Sequence, residues 1–515
     1  MANIFEQKNR TVIPNFRSFF KTLKLGELNH PWKEREKQRV QDISSNLLAW
    51  DHKHSIGAAA DLLGCAIVSG IMNEKQVFKA AEFILANNKL ASPSQIDLAN
   101  IILQRNQQKE KNNIQLPRIS SFLEHNNRVI LQNKIRKIKN ALRRFENDPI
   151  LYVELARLYS ILGQEDVSKK NMNIALHLAP ENRYVLRSFV RLFAHYGETD
   201  KAYEILNKKE VTKSDPWLFS ANVALATLLG HGSRFYKQGL HLLNSKKYSD
   251  ASLTELSSGL GTIELLDGNR RKSRDLFRQA LNAPNDNALA QVEWALSKEN
   301  LFDLDLTKYN VERNYEAMAL DSFHNQDWQK TLKHSEEWFL DMPFAKRPIM
   351  MGSHVSSVIL DDQDTAAMFC NAGLMAHPGN PQIINNLAYS LALSNKTTEA
   401  QSLLDSISLN TVEEPSTKVC LIATQGLILF RMRDYEKGRS YYLDAINAAQ
   451  KTLNISYVQL ALLNYVREEI LCNSSLVDTV INRVRKLNID PKDYGIRILS
   501  ERVLSMYQKY SRSKS

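Results

Sequence analysis

The chain has 515 residues, 43% hydrophobic and 24% charged, a balance that excludes global disorder and fits a folded soluble protein. Its longest apolar runs, such as Ala58 to Met72, are broken by Asp61, Gly64 and Ser69, and the opening MANIFEQKNRTVIPNF lacks a signal-peptide core and cleavage site; the expectation is a cytoplasmic protein, or a nuclear one in a eukaryote, without membrane insertion. The formal net charge of +11 is concentrated between Arg105 and Arg144, where eleven basic residues face only Glu110 and Glu124, a pattern that speaks to partners rather than to fold.

Residues 1–34 form an aromatic and basic segment unlike anything downstream. Phe16, Phe19, Phe20 and Leu23 have the spacing of one helical face. The segment is expected to cap the first hairpin, or to dock a partner chain through Phe16, Phe19, Phe20 and Trp32. Residues 35–147 read as helices at 35–50, 56–72, 74–88 and 93–108, with Ser92-Pro93-Ser94-Gln95 as a helix start. A polar break covers 105–117. From Arg128 to Phe145 an apolar stripe of Val129, Ile130, Ile135, Ile138, Ala141, Leu142 and Phe145 backs a basic face of Arg128, Lys134, Arg136, Lys137, Lys139, Arg143 and Arg144. That face reads either as a solvated helix surface or as a ridge for phosphates of a nucleic acid. It lacks the interleaved aromatics of a single-strand binder.

The stretch from Asp148 to Lys209 states its own period. Gly163 recurs as Gly197, and Ala156, Tyr159 and Met172 recur as Val190, Phe193 and Leu206, each 34 residues on. A period of that size predicts stacked helical hairpins, each with an apolar face that its neighbours must cover. Residues 148–300 are assigned to a first array, 301–311 to a joint, 312–450 to a second array and 451–508 to capping helices, with 509–515 a disordered tail. Pro343 and Pro378, 35 apart, keep the spacing where other positions fade.

Tyr152, Leu155, Ala156, Tyr159, Gly163, Ser168, Met172, Ala175, Leu176 and Pro180 resemble the tetratricopeptide repeat pattern, and the resemblance covers roughly 149–450. It implies an all-α fold, a right-handed α-α superhelix of helical hairpins with non-consensus helices at both ends. It also implies a concave groove, lined by the first helix of each hairpin, in which extended peptides or partner helices bind. The inward residues would then include Val153, Arg157, Ser160, Tyr184, Arg187, Arg191 and His195, followed later by Asn385, Asn386 and Tyr389. Arg187, Arg191 and His195 share a helix face. Together with Arg157 they read either as a clamp for a carboxylate or phosphate or as long side chains covering apolar surface.

Catalytic chemistry has little to stand on. Gly259-Leu260-Gly261 follows no strand and reads as helix packing, and His52-Lys53-His54 reads as a polar turn. Asp361-Asp362 and Glu413-Glu414 fall at helix junctions, while Trp217, Trp328 and Trp338 hold packing positions. Cys65, Cys370, Cys420 and Cys472 form no C-x-x-C pair and read as free thiols. The expectation is a non-enzymatic scaffold or adaptor without cofactor or metal, binding one or more proteins through acidic or C-terminal peptide segments, with self-association open. The alternative is a nucleic-acid-associated accessory subunit of a nuclease, RNA-processing or bacterial defence complex acting through 105–144. That alternative rests on the basic segment; the short run VIPNFRSFFKTLKLGEL is also similar to the start of bacterial repeat proteins encoded beside nuclease modules.

Overall fold

The computed structural model describes residues 10–18, 43–69, 74–105, 119 and 126–514. All regular structure among them is helical, and no helix there is long and apolar enough to cross a membrane. The described residues of Thr11–Leu116 and His125–Asp303 form one compact unit, and those of Leu304–Ser515, with Arg10 and Ile119, form the other.

The N-terminal unit begins with α1 (Ile43–His52), α2 (Ile56–Ser69), α3 (Lys75–Ala86), α4 (Pro93–Arg105) and α5 (Asn126–Leu142). The helix ends expected at 35–42, 70–72 and 106–108 lie outside the described residues. Hairpins follow: α6 (Pro149–Ile161) with α7 (Glu165–Leu178), and α8 (Arg183–His195) with α9 (Thr199–Asn207). After the short α10 (Glu210–Ser214) come α11 (Pro216–Leu228) with α12 (Tyr236–Asn244), α13 (Asp250–Leu266) with α14 (Arg270–Ala280), and α15 (Asp286–Lys298). In the C-terminal unit the pairs are α16 (Tyr315–His324) with α17 (Trp328–Asp341), α18 (Lys346–His354) with α19 (Gln363–Ala376), and α20 (Pro381–Leu393) with α21 (Thr397–Asp405). Then come α22 (Pro415–Arg431) with α23 (Tyr435–Lys451), α24 (Ile455–Leu471) with α25 (Val477–Val484), and a last helix, α26 (Tyr494–Lys514). Each unit is an all-α array of tetratricopeptide-like hairpins.

Local chemistry sets the helix starts. Asp148, Asp215 and Asn380 each precede a proline, and each side-chain oxygen accepts hydrogen bonds from two backbone N–H groups of the helix it opens. Proline in the first turn sacrifices no bond, because that N–H has no partner within the helix. The turns between paired helices need one residue in the left-handed region. Gly163, Gly197, Gly230 and Gly268 take it in the first array, but Gln326, Asp361, Asn395 and Arg433 take it in the second. Side chains tolerate that conformation at a modest cost, so the turn persists where its glycine signal does not.

Close approach within the hairpins rests on small residues twelve apart. The Ser168 hydroxyl donates to the Ala156 carbonyl at 2.7 Å, and Ser273 makes the same bond to Gly261 at 2.9 Å. Gly426 and Gly438 repeat the arrangement without a hydroxyl: a Cβ on Gly426 would lie 3.1 Å from the Gly438 carbonyl oxygen. Beside Gly261 the Phe277 ring fills the space, 3.2 Å from where a Cβ would stand. The long residues of the pattern complete the core, with Phe193, Met172 and Phe277 wholly buried.

The end of the chain differs from expectation. Helix α26 runs through the tail expected to be disordered, because Ile496, Leu499, Val503 and Tyr510 form a buried stripe at helical spacing. The Tyr510 hydroxyl donates to the Ser474 carbonyl at 3.3 Å. Arg502 donates to the carbonyls of Val358 and Ile359, at 3.2 and 3.1 Å, where a π-type turn ends the α18 segment. Gly495 makes room for His354, whose ring Nε2 would be 2.8 Å from a Cβ at that position, and burial pushes that imidazole down to about 3.

Two turn substitutions test the left-handed positions. Leu453 has φ 54° and its side chain is 88% exposed, so shortening it removes strain without losing a buried contact. Gly197→Ala is expected to cost about 1–2 kcal/mol and Leu453→Gly to stabilise by up to about 1 kcal/mol after the added entropy of the unfolded chain, read as opposite shifts in urea midpoint.

Candidate partner-binding groove

In the N-terminal unit the two helices of a hairpin differ in burial. Leu253 to Glu264 of α13 and Asn287 to Ala295 of α15 are buried on every side, whereas the second helix α7 buries only Ser168, Met172 and Ala175. The first helices therefore have something packed on the inner face that a bare array would leave to water. Part of that cover is the segment Thr11 to Ser18, which belongs to the same unit.

Residues 10–18, RTVIPNFRS, are not helical. Pro14 fixes its own φ and biases Ile13 toward extended backbone, so the run suits an extended ligand of a groove. Phe16 is thus not part of a helical aromatic face. It is 1% exposed and Val12 is fully buried, while Phe19, Phe20 and Trp32 lie outside the described residues. Two side chains of the first helices bind the segment by its backbone. The Tyr184 hydroxyl donates to the Arg17 carbonyl at 3.1 Å, and the Asn287 amide donates to the Ile13 carbonyl at 3.1 Å. Carboxylates take its polar side chains: Asp286 Oδ2 accepts from Asn15 Nδ2 and Arg17 Nη2, each at 2.7 Å, and Glu154 accepts from the Ser18 hydroxyl at 3.1 Å. Gly259, read from sequence as a helix-packing residue, lies between Val12 and Val223. A Cβ there would make ordinary contacts with both, 3.4 Å from Val12 Cγ2 and 3.5 Å from Val223 Cγ1.

The expected arginine stack is placed differently from an open clamp. Arg157 is buried and paired with Glu154 one turn earlier, through Nη2–Oε1 at 2.5 Å and Nε–Oε2 at 3.1 Å. Arg187 makes a bidentate pair with Glu255, at 2.8 and 2.9 Å, and also donates to the Trp217 carbonyl and lies over the Trp217 ring. Glu255, 1% exposed, further accepts from Asn285 and Asn287. Each of these two arginines thus has a carboxylate of its own chain. Arg191 and His195 remain partly exposed on α8, and His195 packs edge-on against Tyr196. Glu154 lies within local spacing of Arg157, but Glu255 could not be found that way, since it is 68 residues from Arg187.

Asn385, Asn386 and Tyr389 of α20 are buried. Thr424 donates to Asn385 at 2.9 Å, the Asn386 amide reaches Ser353 at 3.4 Å, and Tyr389 donates to Asn464 at 2.7 Å. These residues bind neighbouring helices to one another. The cavity beside them, lined by Tyr389, Thr424, Tyr442 and Asn464 among others, holds about 20 Å³, space for roughly one water and far below a ligand pocket.

Helix α5 presents the basic residues as a solvated face. Arg128, Lys134, Arg136, Lys137, Lys139, Arg143 and Arg144 are exposed. Lys139 lies over the Tyr159 ring, and Arg144 lies over Phe145 and donates to the Lys89 carbonyl. Leu131, Ile135 and Leu142 form its buried edge, but Val129 and Ile130, expected in the apolar stripe, are 50% and 47% exposed. The aromatic positions Trp217 and Trp328 are only partly buried, whereas Trp338 is core.

The hairpin register, the left-handed turns and the small-residue pairs define an all-α helical-repeat fold whose hairpins resemble tetratricopeptide repeats. No protein-family model matches the chain, and no curated protein does. Among solved structures it is similar to yeast Tom70, with TM-score 0.31 and 13% identity over 76% of this chain and 95% of that one. It is also similar to the human IFIT1 dimer with m7Gppp-AAAA, with TM-score 0.32 and 12% identity over 92% and 94% of the two chains.

The Arg187–Glu255 pair provides a direct test of how the inner faces are held. Glu255→Ala, which takes the carboxylate from a largely buried guanidinium, is expected to cost about 3 kcal/mol, and the double change of Arg187 and Glu255 to methionine to recover most of it in chemical denaturation.

Proposed function

We propose that this protein is a non-catalytic interaction scaffold whose N-terminal unit holds extended protein segments against the inner faces of its first helices. The observation that carries this reading is the pair of donors, Tyr184 and Asn287, aimed at backbone carbonyls of the non-helical segment Thr11 to Ser18. Donors that grip the main chain recognise an extended peptide whatever its sequence, and pockets beside them select side chains. The charge of the groove favours a cationic segment over the acidic one expected from the arginines. Arg157 and Arg187 are paired with Glu154 and Glu255, and Asp286 receives Arg17. With photoreactive benzoylphenylalanine in place of Tyr184, partner cross-links are expected to map to an extended segment rich in Lys or Arg. Cross-links confined to other surfaces of the protein would reject the reading.

The exposed basic face of α5 supports a second reading, contact with a polyanion, because no carboxylate pairs with Arg128, Lys134, Arg136 or Lys137 among the described residues. If four such contacts reach phosphates, nucleic-acid affinity should fall roughly 100-fold between 50 and 200 mM salt, and Lys134→Glu with Lys137→Glu should flatten that slope in a binding titration.

A further inference from the structure

We infer that Thr11 to Ser18 is a tethered occupant of the groove, and that the partner is an extended segment of another protein carrying the same order of side chains, which replaces it. The inference rests on the reading of the groove as a peptide site.

The segment is held as a ligand is held. Its only backbone hydrogen bond within itself runs from Ile13 N to the Thr11 carbonyl, at 2.8 Å among the described residues. The groove supplies donors to the carbonyls of Ile13 and Arg17, a floor without a side chain at Gly259, and a carboxylate at Asp286. Those features specify an occupant. Val12 is fully buried beside Gly259, Pro14 fixes its own backbone angle, Phe16 is buried four residues after Val12, and Arg17 meets Asp286 next. An acidic residue at the position of Arg17 would face Asp286 and be rejected. The matching partner segment thus places an aliphatic residue four before an aromatic one that is followed by arginine or lysine.

Tethering also sets the threshold for exchange. A segment joined to its own groove acts at an effective concentration in the millimolar range, so a free peptide of equal affinity competes poorly until the tethered copy is weakened. Arg17→Glu weakens it by turning the Asp286 contact repulsive.

The test uses the full chain and a fluorescent synthetic peptide, RTVIPNFRS, the sequence of residues 10–18. The Arg17→Glu protein is expected to bind this peptide at least about ten-fold more tightly than the wild-type chain does. The peptide with glutamate at the Arg17 position is expected not to bind. Equal binding by wild type and variant overturns the inference, as does absence of binding by a variant whose residues 11–18 exchange amide hydrogens freely. Should Arg17→Glu not fold, hydrogen exchange on the wild-type chain decides: residues 11–18 should lose protection in excess peptide, and unchanged protection overturns the inference. Dimers formed by exchange of this segment between copies, seen by sedimentation, would overturn it in favour of a second copy. Partner cross-links at position 184 that persist while the peptide fails would sink the exchange alone and leave the proposed function standing.

Discussion

The close approach of the two helices in each hairpin is the constraint on which the other features depend. Pairs such as Ala156 with Ser168, Gly261 with Ser273, and Gly426 with Gly438 bring the backbones near enough for hydroxyl-to-carbonyl bonds or direct contact. Once that distance is set, a large residue beside each pair fills the remaining gap, as Phe277 does. The hairpin then presents its first helix on one side and its second on the other. Stacking repeats that orientation and lines up side chains far apart in sequence, which is how Glu154, Tyr184, Glu255 and Asn287 come to share one surface.

That surface is polar and yet withdrawn from water, and its chemistry follows from the combination. A buried arginine without a carboxylate is too costly to keep, so Arg157 and Arg187 take Glu154 and Glu255 as partners. The remaining acid, Asp286, is met by Asn15 and Arg17 of the N-terminal segment. The segment and the charged groups thus satisfy each other, and a non-helical segment can be buried there because the groove supplies donors for two of its carbonyls.

The C-terminal unit answers the same demand with its own helices. Tyr389, Asn464, Arg467 and Glu468 form one buried network, and α26 brings Arg502 to backbone carbonyls that the π-type turn leaves open. Helix α5 is the contrast: Arg128, Lys134, Arg136 and Lys137 stay exposed to water, where a cation needs no internal partner.

By itself the sequence determined the repeating hairpin and hence the all-α class, since a 34-residue restatement of small, aromatic and glycine positions has one compact solution. Where those residues faded the fold was still legible, because Gln326, Asn395 and Arg433 can occupy the turn that glycine marks elsewhere. The helix positions of Arg157 and Arg187 follow from that register. Arg157 finds Glu154 three residues away on its own helix, whereas tertiary structure alone decided the partners of Arg187 and Arg17. Glu255 reaches Arg187 across 68 residues, and Asp286 reaches Arg17 across 269. Periodicity encodes which face of a helix a residue occupies, whereas the pairing of charges depends on which faces the stacking brings together and on what strand is laid between them. The terminal helix shows the same limit: YSRSKS reads as a loose tail until the buried surface that receives Tyr510 is in place.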